Sequence, residues 1–318
     1  MTGIRILKSA HYVPARILTN EEISGWVDTS DEWIVKRTGI SERRISGGEN
    51  TAQMATFCAE KLLAGAGLVA ADIDIILVAT CTGDYMSPSV ACMVAGALDA
   101  RAIAFDINAA CTGFVYGLSI AAGMLRGGVH RRAMVIGVEL LSKMTDWQDR
   151  NTCILFGDGA GGLIIEHAPE RLFAEKLHAR GDMPITMGYR GVFNPFFKDT
   201  KEWQHLQVAG REVFDFAVSH VSENIGEVLA LAGLTLDDIA LIFPHQANGR
   251  IIEGIAKKLK VDISKFFVNI EKYGNTSSAS IGICLSEAFA NGRIKSGDKI
   301  ILAGFGGGLT WGCVLLEV

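Results

Sequence analysis

Sliding the chain along itself by 166 positions lays Leu63–Ile76 (LAGAGLVAADIDII) on Leu229–Ile242 (LALAGLTLDDIALI), and eight of those fourteen positions are identical. The same offset sets the apolar run Ala133–Val138 (AMVIGV) against Lys299–Gly304 (KIILAG). A repeat at fixed spacing constrains a fold strongly, because each copy must build the same unit and the copies must bury their faces together. We read two copies, 1–170 and 171–318. Each is a helix closed by Ala-Gly-Leu, an apolar strand, another helix and strand, then a second long helix and strand. Helices alternating with continuous apolar strands predict α/β architecture with largely parallel sheets covered on both faces. No Pro/Gly/Ser linker divides the copies, so they are expected to pack as one globule. Arg180–Gln207, rich in Gly, Pro and Phe, reads as an irregular connection or lid.

Composition narrows the class. Lys and Arg number 30 against 35 Asp and Glu, a net charge of −5, with 49% apolar and 20% charged residues among 318. That length is ample for a buried core. The charge balance argues against a general nucleic-acid binder, which needs a concentrated positive surface. The most apolar stretch, Leu62–Cys81, is broken by Asp72 and Asp74, short of the ~20 uninterrupted apolar residues of a membrane span. Met1–Lys8 lacks the parts of a signal peptide, so a cytoplasmic protein with no membrane partner is expected. The cysteines at 58, 81, 92, 111, 153, 284 and 313 include no Cys-x-x-Cys pair. Neither His-x-x-x-His nor His-Glu-x-x-His occurs, and no disulfide framework or metal site is expected.

Three strand ends carry candidate chemistry. Cys111 follows the apolar run Ile103–Ile107 and precedes Gly113–Leu125, apolar nearly all round as a buried helix is. A cysteine there is either a small packed residue or a nucleophile, since helix N-termini favour thiolate. His245, in Pro244–Asn248 (PHQAN), lies between a strand over Ile239–Phe243 and a helix over Gly249–Lys260. Ligands bind at such strand ends, although a hydrogen-bonded structural histidine fits equally. Asn275, in Tyr273–Ser280 (YGNTSSAS), follows the strand-like Phe266–Ile270, and Gly-Asn is also ordinary turn chemistry. The repeat joins these residues: position 111 shifted by 166 is 277, two residues from Asn275. Thiol and amide thus fall on equivalent loops of the two copies, and the imidazole joins them.

Other segments suggest a binding path. Gly304–Gly312 (GFGGGLTWG) suits backbone N–H groups brought close to a developing oxyanion. Neither it nor Phe156–Gly162 (FGDGAGG) carries the Lys-Ser or Lys-Thr of a phosphate loop. Thr29–Glu32 resembles a capping box, after which Trp33 and Arg37 share a helix face. They are either plain surface or a flat aromatic and a guanidinium that hold a nucleotide. Beyond His245, Ile251, Ile252, Ile255 and Leu259 take one side of a helix. Arg250, Lys257 and Lys258 are left on another, a solvated face or a dock for an acidic carrier.

Taken jointly, Thr29–Gly39, Asn108–Phe114 (NAACTGF), Phe156–Gly161, Pro244–Asn248, Gly274–Ser280 and Gly304–Gly312 resemble the β-ketoacyl-acyl-carrier-protein synthase III enzymes of the thiolase superfamily. The likeness spans essentially the whole chain. It implies a five-layered αβαβα thiolase fold of two pseudo-symmetric halves, a homodimer, and condensation of an acyl-CoA primer with malonyl-carrier protein. No cofactor beyond the coenzyme A thioester substrate is implied, and no metal. By motif, Cys111 would carry the acyl group, and His245 and Asn275 would hydrogen-bond the malonyl thioester oxygen. The backbone N–H groups of Cys111 and Gly307 would hold the acyl oxyanion. Trp33 and Arg150 would sandwich the adenine, with Arg37 near the phosphates and Asn248 along the pantetheine arm. Arg250, Lys257 and Lys258 would dock the carrier, where Asp215 departs from the basic residue some relatives have. Ser87 would line the acyl pocket across the dimer and leave room for primers longer than acetyl. Gly181–Phe197 matches no family feature closely.

Four rival readings follow from the same residues. A papain-type hydrolase uses Cys, His and Asn in this order, but Cys111 is far from the N-terminus and lacks the Cys-Gly-x-Cys context. A thiolase-fold acyltransferase or a type III polyketide synthase would share the triad and use another acceptor. A non-catalytic acyl-CoA scaffold would take no acyl group onto Cys111.

Overall fold

The computed structural model describes residues 3–188, 193–198 and 204–318. A five-stranded sheet uses β1 (Gly3–Tyr12), β2 (Ile75–Ala79), β3 (Ile103–Ile107), β4 (Arg132–Glu139) and β5 (Gly159–Ala168), in the order β1-β5-β4-β2-β3. A four-stranded sheet uses β6 (Phe173–Asp182), β7 (Leu241–Pro244), β8 (Lys299–Gly306) and β9 (Gly308–Glu317), in the order β7-β8-β9-β6. The second order repeats the first, with β6 standing for β1, β9 for β5, β8 for β4 and β7 for β2. A single parallel bridge from Ile242 to Phe266 takes the place of β3. The strand expected over Phe266–Ile270 is therefore reduced to one residue pair, and the chain turns into a short helix, Ile270–Tyr273.

The expectation of largely parallel sheets is corrected. β2 runs parallel to β3 and β4, and β7 to β8, but β5 is antiparallel to both β1 and β4, and β9 to both β6 and β8. No helix separates β8 from β9; a tight turn at Gly307 does, and such a return is antiparallel by necessity.

The helices are α1 (Asp31–Thr38), α2 (Thr51–Ala66), α3 (Val90–Ala97), α4 (Gly113–Arg126), α5 (Gly210–Ala232), α6 (Gly249–Leu259) and α7 (Ala279–Ala290), besides shorter turns. α5 ends 166 residues after α2, and α7 begins 166 residues after α4. The shared Ala-Gly-Leu explains the first match. Gly67 and Gly233 take left-handed φ of +65° and +67°, and the N–H groups of Leu68 and Leu234 return to Leu63 and Leu229 oxygens at 3.1 and 3.0 Å. Glycine enters that region without a Cβ clash, and the following leucine closes the cap against the helix.

α2 and α3 cover the outer face of the first sheet, α5 and α6 that of the second, and α4 and α7 lie between the sheets. This is the five-layered αβαβα sandwich that the resemblance implied. The middle layer turns apolar side chains towards both sheets: Phe114 and Leu118 of α4 and Ile281 and Leu285 of α7 meet Leu77 and Val135 from one sheet and Phe243 and Leu302 from the other. Each such side chain contributes ~1.5–3 kcal/mol by burial. The packing leaves no room beside α7. A Cβ placed on Gly161 of β5 would lie 2.4 Å from the Ile283 nitrogen and 2.5 Å from the Gly282 carbonyl carbon. Gly161→Ala is expected to lower the unfolding free energy by about 3 kcal/mol. Urea denaturation measures it, and an unchanged midpoint would contradict this packing.

Candidate active site

Local structure delivers each candidate side chain separately. Cys111 sits in a 3-10 turn, Ala110–Thr112, between β3 and α4. Ala110 before it has φ +46°, and its N–H donates to Asn108 Oδ1 at 3.2 Å. The end of β8 presses on this turn: a Cβ on Gly306 would stand 2.8 Å from Cys111 Cβ and 3.1 Å from its sulfur. His245 follows β7 directly, its N–H donating to Ala303 O at 2.8 Å. Asn275 is fixed by its backbone against the FGDG segment, its N–H donating to Leu155 O at 2.8 Å and its oxygen accepting from Gly157 N–H at 3.0 Å. Its side-chain oxygen accepts the Ser277 N–H at 2.9 Å. That bond identifies the amide oxygen and leaves the NH2 group to face the cavity.

Cys111, His245, Asn275 and Gly307 border one cavity of about 490 Å3, together with Cys81, Ser277 and apolar side chains such as Leu141, Leu206 and Phe305. Three strand ends thus converge, two from the second sheet and one from the first. Position 277, the repeat equivalent of 111, holds Ser277, which lines the cavity with Cys111 and whose hydroxyl donates to Glu139 Oε1 at 3.2 Å.

Burial governs the electrostatics. His245 is 1% exposed, and desolvation pushes it down to about 3, so its imidazole is neutral at pH 7. Its Nδ1 lies 2.8 Å from Ser280 Oγ, leaving Nε2 for the cavity. The single Ser280 proton has two acceptors, His245 Nδ1 and Ser277 O at 2.9 Å. When Nδ1 receives it, the ring's own proton is on Nε2. Cys111 goes against expectation: burial pushes its thiol up to about 12.

A second cavity, about 810 Å3, adjoins the first, and Leu155, Val208, Gly210, Asn248 and Ile251 border both. Trp33, Arg37 and Arg250 line the outer one. The Arg150 guanidinium carbon is 4.7 Å from the Trp33 ring centroid and that of Arg37 is 5.6 Å from it. Arg150 also lies 3.6 Å from Asp28. Asn248 caps α6, accepting from Arg250 N–H at 2.9 Å, and donates to Arg37 O at 3.3 Å. The cap of α1 is Ser30, which accepts from Trp33 N–H at 3.2 Å. Thr29, read as the cap in the sequence, has its hydroxyl buried one residue too early.

Lys257 and Lys258 are exposed on α6 beside Arg250, away from both cavities, and Lys258 reaches Ser219 Oγ at 3.0 Å and Glu223 at 3.5 Å on α5. Asp215 is exposed on α5. Ser87 stands on an exposed loop beside Tyr85 and Met86 and does not border its own chain's cavity. In Gly181–Phe197, Ile185 and Met187 line the inner cavity; 189–192 lie outside the described residues. Among the described residues no cluster of three His, Cys, Asp or Glu side chains could hold a metal, and no helix is long and apolar enough to cross a membrane.

Sequence reasoning missed Ser277, Ser280, Gly306, Arg211 and Phe214. The last two line the outer cavity. The 166-residue offset pointed straight at Ser277, whereas Gly306 was hidden in a glycine-rich run and the α5 residues carried no signal.

Two family models match the chain. Residues 229–318 match "3-Oxoacyl-[acyl-carrier-protein (ACP)] synthase III C terminal" and residues 105–181 match "3-Oxoacyl-[acyl-carrier-protein (ACP)] synthase III". The beta-ketoacyl-[acyl-carrier-protein] synthase III of Clostridium novyi (strain NT) is 48% identical, covering 100% of this chain and 99% of that protein. That of Enterococcus faecalis (strain ATCC 700802 / V583) is 49% identical, covering 99% and 98%. The crystal structure of 3-oxoacyl-[acyl-carrier-protein] synthase III from Aquifex aeolicus VF5 superposes with a TM-score of 0.92 at 42% identity, over 99% of this chain and 100% of that one.

The buried histidine makes stability depend on pH. Its ordinary value is 6.5 and its folded value about 3, so the unfolded chain binds a proton first as pH falls. Stability contributed by the neutral ring is full above 6.5 and is lost from there down towards 3, at ~1.4 kcal/mol per unit. Between pH 7 and 5 the wild type is expected to lose ~2 kcal/mol more than His245→Gln in denaturant titrations. Equal losses would contradict the neutral assignment.

Proposed function

This chain belongs to the 3-oxoacyl-[acyl-carrier-protein] synthase III family, and from that premise we propose how its residues divide the family's reaction. The protein is a condensing acyltransferase that joins an acyl-CoA to malonyl-acyl-carrier protein, releases CoA and carbon dioxide, and initiates fatty acid synthesis. In our reading the acyl-CoA lies along the outer cavity. Its adenine enters between Trp33 and Arg150 once Arg150 swings off the Trp33 face that it covers at 4.7 Å, Arg37 faces its phosphates, Asn248 flanks its pantetheine arm, and its thioester reaches Cys111. The Cys111 sulfur attacks the carbonyl, the backbone N–H groups of Cys111 and Gly307 hold the oxyanion, and CoA leaves as its thiolate. Malonyl-carrier then takes its place. His245, through Nε2–H, and Asn275, through its NH2 group, donate to the malonyl thioester oxygen as carbon dioxide departs. Two fixed donors aimed at developing enolate charge are worth ~3 kcal/mol each in a dry site. The carbanion attacks the acyl-Cys111 carbonyl, and the Cys111 sulfur leaves.

One observation carries this reading: a thiol, a neutral imidazole and an oriented carboxamide border the same cavity. Docking of the carrier falls to Arg250, Lys257 and Lys258, with Glu223 already engaging Lys258 and weakening its share. The protein acts as a homodimer in the cytoplasm, without a cofactor beyond the CoA thioester substrate, and Ser87 of the second copy admits primers longer than acetyl to the acyl pocket. The chain divides into halves at 1–170 and 171–318.

Intact-mass measurement after mixing with a panel of acyl-CoAs, then with malonyl-carrier, tests the sequence of steps. Wild type should gain one acyl group and lose it on adding malonyl-carrier, while Cys111→Ser should gain none. His245→Ala and Asn275→Ala should still acylate in part, yet release carbon dioxide at least 100-fold more slowly. Equal loss of both steps in these two variants would contradict the assigned roles. For the pocket, Ser87→Phe should shift acyl-CoA preference towards acetyl in competition assays; an unchanged preference would count against Ser87.

A further inference from the structure

A charged side chain lies fully buried behind the FGDG segment, and the steps above do not use it. Arg43 belongs to the short strand Glu42–Ile45, which pairs antiparallel with Arg16–Thr19, and no part of it reaches solvent. None of the ion pairs among the described residues includes it. Neutral oxygens hold its guanidinium instead. One terminal nitrogen donates to Asn20 Oδ1 at 2.8 Å and to Leu18 O at 3.3 Å, and the other donates to Ile154 O at 2.6 Å. Its Nε has no partner among the described residues. Burial lowers the group to about 10, which leaves it charged at pH 7. A buried charge without a carboxylate is costly, so a fold that needed only to fill this space would be better served by an apolar residue of similar volume.

What the guanidinium grips is the run on which Asn275 rests. Ile154 opens the run Ile154–Asp158, and Leu155 and Phe156 within it border the inner cavity. Asn275 lies along it, bonded through its backbone to Leu155 O and Gly157 N–H, with Phe156 and Asn275 forming one parallel bridge. The far end of the run returns to the strand that carries Arg43. There Asp158 N–H donates to Arg44 O at 2.8 Å, and Asp158 Oδ2 accepts from Ser46 N–H at 2.8 Å. Packing closes the stack. A Cβ on Gly157 would stand 2.2 Å from Tyr273 O and 3.2 Å from Arg43 Cβ, and one on Gly274 would stand 2.7 Å from Leu155 O and 3.3 Å from Arg43 Cβ. We propose that Arg43 is a positioning residue for Asn275: by fixing Ile154–Gly157 it sets where the Asn275 amide stands in the cavity. The proposal rests on Asn275 being a donor to the malonyl thioester.

The other two site residues have supports of their own. His245 is held at Ala303 O and Ser280 Oγ, and Cys111 sits in the turn Ala110–Thr112 against Gly306; none of these contacts involves Ile154–Asp158. Loss of the Arg43 grip should therefore reach the amide and spare the thiol. The shape of the guanidinium matters as much as its charge. A planar fork directs separate nitrogens at Asn20 and at Ile154, whereas a lysine ammonium is one nitrogen on a flexible stem and cannot hold both at these distances.

The two half-reactions separate positioning from plain stability. Wild type, Arg43→Lys and Arg43→Gln, each checked by thermal unfolding, are compared in two assays. One follows acyl-Cys111 formation from acetyl-CoA by intact mass, and the other follows carbon dioxide release from malonyl-carrier by the acylated enzyme. Folded variants are expected to acylate within about 3-fold of wild type and to release carbon dioxide about 10-fold or more slowly, since a misplacement near 1 Å at a reacting group costs at least that much. In an Asn275→Ala background the same substitutions are expected to cost nothing further, because the group they misplace is gone. Equal slowing of both steps, an undiminished further loss in the Asn275→Ala background, or wild-type carbon dioxide release by a folded Arg43 variant would overturn the proposal. If neither Arg43 variant folds, Asn20→Ala, which removes one anchor of the guanidinium, decides by the same comparison. Should that variant also fail to fold, Arg43 serves the fold alone and the proposal falls. Wild-type carbon dioxide release by Asn275→Ala itself would instead overturn the role given to Asn275.

Discussion

The close packing of α4 and α7 between the two sheets is the constraint on which the rest depends. Each helix begins where strands of its own half end, and the two starts are 166 residues apart. Sharing one apolar layer, the two helices must approach each other, and their leading loops approach with them. The backbone contact of α7 on Gly161 fixes that approach at a distance no larger residue permits. The cavity is a by-product of this packing. It forms where the two leading loops and the β8–β9 turn meet, and it receives Cys111 from one loop, Asn275 from the other and Gly307 from the turn.

Burial has two electrostatic consequences, and they pull in opposite directions. For His245 it is useful, because a neutral ring can donate to a developing oxyanion without carrying a charge of its own. For Cys111 it is a difficulty, because the same desolvation keeps the thiol protonated. The 3-10 turn that holds Cys111 runs straight into α4 at Gly113, so the sulfur lies within a turn of that helix's N-terminus, where unpaired N–H groups favour the thiolate.

Much of this was legible in the chain. The 166-residue repeat gave both copies, the helix ends at Ala66 and Ala232 and the facing loops, because Ala-Gly-Leu caps and apolar strands are local signals. Cys111, His245 and Asn275 stood out through their place after strands. What was not legible depended on contacts far apart in sequence. The antiparallel pairing of β5 and β9 and the shrinkage of the Phe266–Ile270 strand to one bridge are set by packing, not by pattern. Glu139 was invisible because one acid at the end of an apolar strand looks like a solvated terminus, and only the fold turns it inward. The pKa of Cys111 was misjudged for the same reason: burial cannot be read from neighbours in sequence.

The account stands or falls on one thioester being seated among three particular groups. A crystal structure of wild-type protein after exposure to an acyl-CoA measures this directly. The account predicts continuous density from the Cys111 sulfur to the acyl carbon, with the thioester oxygen within ~3.2 Å of the Cys111 and Gly307 nitrogens and His245 Nε2 and the Asn275 amide lining the space beside it. An acyl group on another residue, or on Cys111 but turned away from both His245 and Asn275, would contradict it.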